Sequence, residues 1–386
     1  LEISGIDAST EAVGGTIERE AYSYPNGILT ESCISLLSPV IPKITEKEME
    51  KAFKLAQNHA LSVGLTSVQS NDVGMKGMVM DDTFALLRKL YAEGTGKLRY
   101  RHQVCCRNTE ELEHYINGEL KNGVYNEPDR LALGPLKIFK DGSLGGRTAL
   151  LRRDYADDAG NRGVEAISDE KMYELCRVAA DAGMQIVAHA IGDGAIEAVL
   201  DCYERLDPTG SNPLRNGIVH CQITDRPLLE RIAEDKVLIM YQPVFLDYDM
   251  QIVEARCGRE LASTSYAFAT AEKLGIPVSY GTDAPVEDCN PMRNIYRAVT
   301  RRDGTGKPCF GFFPAECVEL EDALDAYTVG SAYNEFKESK KGRIKPGFLA
   351  DMVVLDTDIF RCDRGAIYGV VPEMTVIGGE VVYRRK

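Results

Sequence analysis

No run in this chain approaches the ~20 consecutive apolar residues that span a bilayer. Residues 1–20 lack a basic region followed by an apolar core, so nothing there reads as a secretory signal. No CxxC pair or finger spacing occurs among the 11 cysteines, which are scattered singly apart from Cys105-Cys106. In a large acidic chain that usage points to reduced thiols and a cytoplasmic setting, not a disulfide framework. There is no tandem repeat, no low-complexity tract, no GxGxxG fingerprint and no Walker loop. A formal net charge of -14 and a pI near 5.0 argue against nucleic acid and anionic membrane as partners. A small-molecule substrate is the partner left. Oligomeric state stays open, a homo-oligomer included.

What is there is an alternation. The chain has 386 residues and 44% hydrophobic content, enough for one large domain with a smaller attachment. Residues 1–31 are irregular, with a hairpin expected around Pro25-Asn26-Gly27. Thr45-Glu46-Lys47-Glu48 then opens a helix with a capping threonine and early acids. From there short apolar runs alternate with helical patterns. Seven runs read as strands, near Leu65, Leu98, Leu136, Ile186, Ile218, Leu238 and Val278. Such alternation means a mostly parallel sheet covered by helices. Two segments break the rhythm: a polar loop after Ile116 and a long one over residues 140–166.

A TIM-like (β/α)8 barrel needs eight strands. The expectation is therefore an α/β barrel over residues 1–340 whose first strand precedes Leu1. After Lys340 the texture changes to turn-rich connector and strand, including a hairpin turn at Gly378-Gly379. Residues 341–386 read as part of a small β-sandwich domain. So few strands make a poor sheet alone, which implies partner strands from elsewhere in the chain.

The chemistry concentrates at strand ends. The run Met184 to Ala188 is apolar and ends in His189, followed by Gly192-Asp193 and a helical pattern. His220 and Asp283 likewise follow the apolar parts of strands, and Lys137 lies within one. In a barrel, strand ends converge on one mouth, so these four become neighbours. Two imidazoles, a carboxylate and a lysine are candidate ligands, Lys137, His189, His220 and Asp283, for a divalent metal such as zinc. Bland alternatives exist for each: Lys137 paired with Asp141, His189 or His220 on a backbone carbonyl, Asp283 capping the next helix.

The motifs Lys137-Ile-Phe-Lys-Asp141-Gly-Ser143-Leu-Gly-Gly-Arg147-Thr-Ala149, Ala188-His189-Ala-Ile-Gly-Asp193, Ile218-Val-His220, Gln242-Pro243 and Gly281-Thr-Asp283-Ala-Pro285 resemble the amidohydrolase superfamily, and its YtcJ-like (amidohydrolase 3) branch best. The C-terminal Lys341-Gly-Arg-Ile-Lys-Pro-Gly347-Phe-Leu-Ala350-Asp351 fits the same branch. The resemblance implies a metal-dependent hydrolase acting on non-peptide carbon–nitrogen bonds, such as amide, N-formyl or N-acyl groups. It implies one or two zinc-like ions, with Lys137 as a carboxylated lysine bridging them. His189 and His220 are the matching histidines. Asp283 is both ligand and general base, and Arg147 and Gln242 contact substrate. One departure stands out. The family opens its site with His-x-His on the first strand, and none of His59, His102, His114, His189 and His220 forms that pair. The missing pair agrees with the missing strand, so the sequence reads as one whose N-terminus lies upstream of Leu1. Two rival readings remain: a non-catalytic ligand-binding or scaffold barrel, and a Schiff-base lyase using Lys137.

Overall fold

The structure is a computed structural model that describes residues 1–12, 14–74, 79–121 and 130–386. Part of the polar loop after Ile116, residues 122–129, lies outside them. A hairpin of β1 (Ile17–Arg19) and β2 (Pro25–Leu29) stands near the start. It turns through residues 20–24, so Pro25-Asn26-Gly27 lie in the second strand and not in the turn.

The main sheet follows: β3 (Ser67–Val73), β4 (Arg99–Val104), β5 (Leu131–Phe139), β6 (Ile186–Ala190), β7 (Gly217–His220), β8 (Leu238–Tyr241) and β9 (Val278–Tyr280). All seven are parallel and pair in chain order. These are the seven runs read from the sequence. The closed eight-stranded barrel is not there: among the described residues neither β3 nor β9 pairs with a further strand. Seven strands leave a ring that needs eight incomplete. The sheet nevertheless curls. The short helix Ser331–Asn334 accepts a bond from Gln69 of β3 (3.3 Å) and one from Arg101 of β4 (3.2 Å), and reaches Ser279 of β9 at 3.5 Å. One such helix touches both edges only if they come round toward each other.

The helices start where the sequence places caps. Thr45 and Glu48 form a reciprocal capping box at Glu46–Ser62. Ser168, Asp225 and Asn290 accept a backbone N–H at the starts of Asp169–Asp181, Arg226–Glu234 and Pro291–Thr300. Strand side chains alternate between two environments, as a period of two demands. Ile186, Ala188 and Ala190 pack into the large core under the helices. Val187 joins Val219 and Met240 in a small cluster of its own on the opposite, concave face. His189 shares the face of Val187, two residues on.

Past Leu355 of β10 (Met352–Leu355), β11 (Pro372–Ile377) and β12 (Glu380–Arg384) complete a three-stranded antiparallel sheet. Gly378 (φ 60°) and Gly379 (φ 83°) make its hairpin turn with two left-handed residues, a conformation suited to glycine. Partner strands from elsewhere are absent among the described residues. A helix covers the sheet instead: Thr375 donates to Leu61 O (2.7 Å), and Ile377 is buried with Ala60, Leu61 and Leu98. Among the described residues no helix is long and apolar enough to cross a membrane.

Candidate active site at the strand ends

Register places Lys137 and His189 on the concave face, with His189 one two-residue step nearer the strand ends. Lys137 is paired with Val187, and Phe139 with His189. The Lys137 ammonium lies 4.9 Å from the centre of the Phe139 ring, and that ring is 5.4 Å from the His189 ring.

His220 needs a special device. Ile218 faces the helices and Val219 the concave side, so strict alternation would return His220 to the helix layer. The backbone prevents it: His220 has φ 74° and Cys221 φ 47°. Non-glycine residues take that region at a cost of roughly 1–3 kcal/mol, and such strain collects at functional sites. The outcome is a His220 ring 4.5 Å from that of His189 and stacked on Phe245 at 5.7 Å.

The two imidazoles are held differently. His189 Nε2 sits 2.9 Å from Gly142 O and 3.3 Å from Asp141 Oδ1. His220 Nδ1 is buried with no hydrogen-bond partner, and so is Gln242 Oε1, whose amide nitrogen donates to Met240 O at 2.8 Å. Burial pushes the His220 pKa well below the usual value, the nearby His189 and Lys137 add to this, and Gln242 acts in the opposite sense. His220 is therefore a neutral imidazole with an unused nitrogen.

Lys137 is likewise strained electrostatically. Burial pushes its pKa down to about 8, while Asp283 and Cys105 pull it back up. No hydrogen bond or ion pair holds its Nζ among the described residues. Asp283 sits at φ 56° in the exposed turn after β9.

The bland alternatives for Lys137 and Asp283 fall away, whereas His189 does meet a backbone carbonyl, Gly142 O. Asp141 bonds backbone amides and not Lys137. The lysine that takes carboxylate partners here is Lys140, with Glu165 and Asp169. Asp283 does not cap the next helix, since Asn290 does. Arg147 is drawn elsewhere: it makes a two-pronged contact to Asp157 (3.1 and 3.0 Å), which Arg256 also engages. His102 faces outward, edge-on to Phe84 at 5.7 Å and 3.2 Å from Asp72. His114 is an exposed partner of Asp81.

Sequence reasoning missed Cys105 and Phe245 as neighbours of the site, and it underrated Asp141. The signal for Asp141 was its place four residues after Lys137, within the same motif.

The residues present fit a metal by donor chemistry. Two imidazoles, one of them neutral with an orphaned buried nitrogen, and a nearby carboxylate are what a divalent ion recruits. A different group lies closer together. His59, Asp288 and Cys289 are the one trio of His, Cys, Asp or Glu donors within 4.8 Å of one another among the described residues. His59 and Asp288 are 53% and 41% exposed and lie off the strand ends, which makes theirs an ordinary solvated contact.

The half-barrel gathers two histidines, a lysine and an aspartate toward the C-terminal ends of its strands, and relatives place the chain more closely. The sequence model of the Amidohydrolase family matches residues 1–383. The chain is 32% identical over 388 residues to the putative amidohydrolase YtcJ of Bacillus subtilis (strain 168), covering 100% of this chain and 71% of that protein. It is 25% identical over 399 residues to the N-substituted formamide deformylase of Arthrobacter pascens, covering 100% and 70%. The crystal structure of an uncharacterized metal-dependent hydrolase from Pyrococcus horikoshii OT3 superposes with a TM-score of 0.76 at 28% identity, over 94% of this chain and 69% of that one. The chain belongs to the Amidohydrolase family.

Proposed function

We propose that the protein is a metal-dependent hydrolase that cleaves a non-peptide carbon–nitrogen bond of amide, N-formyl or N-acyl type. The observation that carries this is the pair of imidazoles 4.5 Å apart, the buried His220 with an unpartnered nitrogen and the half-buried His189, beside a lysine of lowered pKa. The relative named for deformylating N-substituted formamides supports the bond type.

His189, His220 and Asp283 would hold a divalent ion, zinc suiting this donor set best. Lys137 joins them as a carbamate. An ammonium cannot ligate, whereas a neutral amine adds carbon dioxide, loses a proton and offers anionic oxygens. Burial keeps much of Lys137 neutral near pH 8, which favours that reaction. When bound, the ion acidifies a water and polarises the substrate carbonyl. Asp283 takes the proton of the attacking water and passes it to the leaving nitrogen. Gln242, with its spare Oε1 beside His220, is the candidate for a substrate N–H. Arg147 serves substrate only if it leaves Asp157. The site works with a small soluble substrate in the cytoplasm.

The test is metal analysis with a panel of N-formyl and N-acyl amines. Roughly one to two zinc-like ions per chain and amine release that a chelator abolishes support the reading. No metal after reconstitution removes it and favours a ligand-binding barrel. The lowered Lys137 pKa also suits a Schiff base, and borohydride trapping of a carbonyl substrate on Lys137 favours the lyase instead.

A further inference from the structure

Asp141 is a fully buried carboxylate that lies on none of the strands, and its bonds reach three parts of the site. Its Oδ1 accepts from Ile191 N at 3.0 Å, and its Oδ2 from Gly192 N at 2.8 Å and Leu150 N at 2.9 Å. Its side chain has 0% exposure, and its Oδ1 is 3.3 Å from His189 Nε2. It therefore joins the turn after β5, the loop over residues 140–166 and the turn that starts the helix Asp193–Leu206. The packing there is close: a Cβ on Gly192 would stand 2.0 Å from Leu150 O.

We propose that Asp141 is a positioning residue that fixes the tautomer and ring orientation of His189. Nε2 faces two acceptors, Gly142 O at 2.9 Å and Asp141 Oδ1 at 3.3 Å. A lone pair there would face two oxygens, so in the neutral ring the proton sits on Nε2 and is donated to Gly142 O, with the Asp141 carboxylate close by to favour it electrostatically. Nδ1 is then the only lone pair of the ring. The carboxylate acts twice, by its charge 3.3 Å from Nε2 and through the backbone amides that fix the turn carrying Gly142 O. A ring nitrogen committed to a carbonyl beside a carboxylate makes the other nitrogen a better and better-aimed ligand. The consequence for metal affinity rests on the hydrolase reading above; the tautomer does not.

The test uses nitrogen-15 NMR of histidine-labelled, metal-free protein at neutral pH, with the His189 signals identified by their loss in His189→Asn. The expected pattern is protonated Nε2 and bare Nδ1. In Asp141→Asn the tautomers mix, and zinc binds about 10–100-fold more weakly. Should that variant fail to fold, Asp141→Ser, which keeps one acceptor and is too short to reach the ring, serves the same comparison. A wild-type His189 protonated on Nδ1 overturns the proposal. So does a folded variant that keeps both the pure Nε2–H pattern and wild-type zinc affinity, since Gly142 O would then suffice. Wild-type protein with the expected tautomer but no zinc binding removes the hydrolase reading and leaves the positioning role standing.

Discussion

The two ends of the parallel strands treat polar groups in opposite ways. At the end where the strands begin, charges are paired. Arg99 makes two bonds to Asp351 (2.6 and 2.9 Å) with both side chains 7% exposed. Arg215 grips Glu338 at 3.1 and 2.7 Å, and Lys341 is paired with Glu335. Gln185 donates to Asn334 and Arg215 carbonyls, leaving only its Oε1 unmatched among these partners. At the other end, His220 Nδ1 and Gln242 Oε1 have no partner, Lys137 is buried without an ion pair, and His220 sits on a strained backbone. Buried polar groups that protein bonds leave unused are costly, so a fold retains them where a ligand will use them. The floor holds the connector to the barrel; at the mouth His220, Gln242 and Lys137 keep groups free beside others, Asp141 and Lys140, that are fully paired. This matches the division in barrels between a stabilising lower face and a chemical upper face.

That contrast can be broken from both ends. The largest effect is expected at the mouth in activity. Asp283→Asn should lower kcat by about 10²–10⁴-fold, the usual worth of a general base, with an unchanged melting curve. Turnover within a few-fold of wild type would remove Asp283 from its role. At the floor the effect should fall on stability alone. Arg99→Ala strands Asp351 in a buried site and should cost about 3–5 kcal/mol in urea unfolding, with specific activity of the folded fraction retained. Next comes a gain. In metal-free protein, Lys137→Met removes an amine that burial disfavours in its charged form. The unfolded chain has the ordinary value of 10.5 and the native state about 8, so the unfolded state binds more protons between them. Stability of the wild type therefore rises with pH across that window, and the penalty is complete below pH 8. The variant should be more stable at pH 7 by up to about 3 kcal/mol, with the gain fading toward pH 10 and metal binding lost. A variant less stable at pH 7 would mean that Lys137 is satisfied after all. The smallest effect belongs to neither end: His59→Ala should stay within about 0.5 kcal/mol with unchanged metal content.

Much of this was legible before any coordinates. Periodicity found all seven parallel strands, and the capping threonine Thr45 found the start of the first long helix. Strand-end placement singled out His189, His220 and Asp283, because polar side chains rarely close apolar runs without a reason, and Lys137 stood out as a charge inside an apolar strand. Other features depend on where distant backbone lies. The helices Leu246–Asp249 and Val253–Ser263 were not read from the sequence: the first is four residues long and the second is broken at Gly258 (φ 78°). The commitment of Arg147 to Asp157 pairs two residues of one loop whose path no local pattern specifies. The early hairpin was displaced because Pro25-Asn26-Gly27 has turn chemistry, yet pairing with Ile17–Arg19 draws it into a strand.

By itself, then, the sequence determined an acidic, strand–helix alternating chain of the amidohydrolase pattern, with its polar residues at the ends of apolar runs. Those properties are local, set by side-chain period, capping and turn chemistry. Only the tertiary structure decided that His220 turns inward against the alternation of its strand, that its Nδ1 is left bare, and that Asp141 is spent on three backbone amides and His189. Tautomer, burial and lowered basicity arise from the joint field of groups brought together across the sheet, and no single stretch of sequence carries that field.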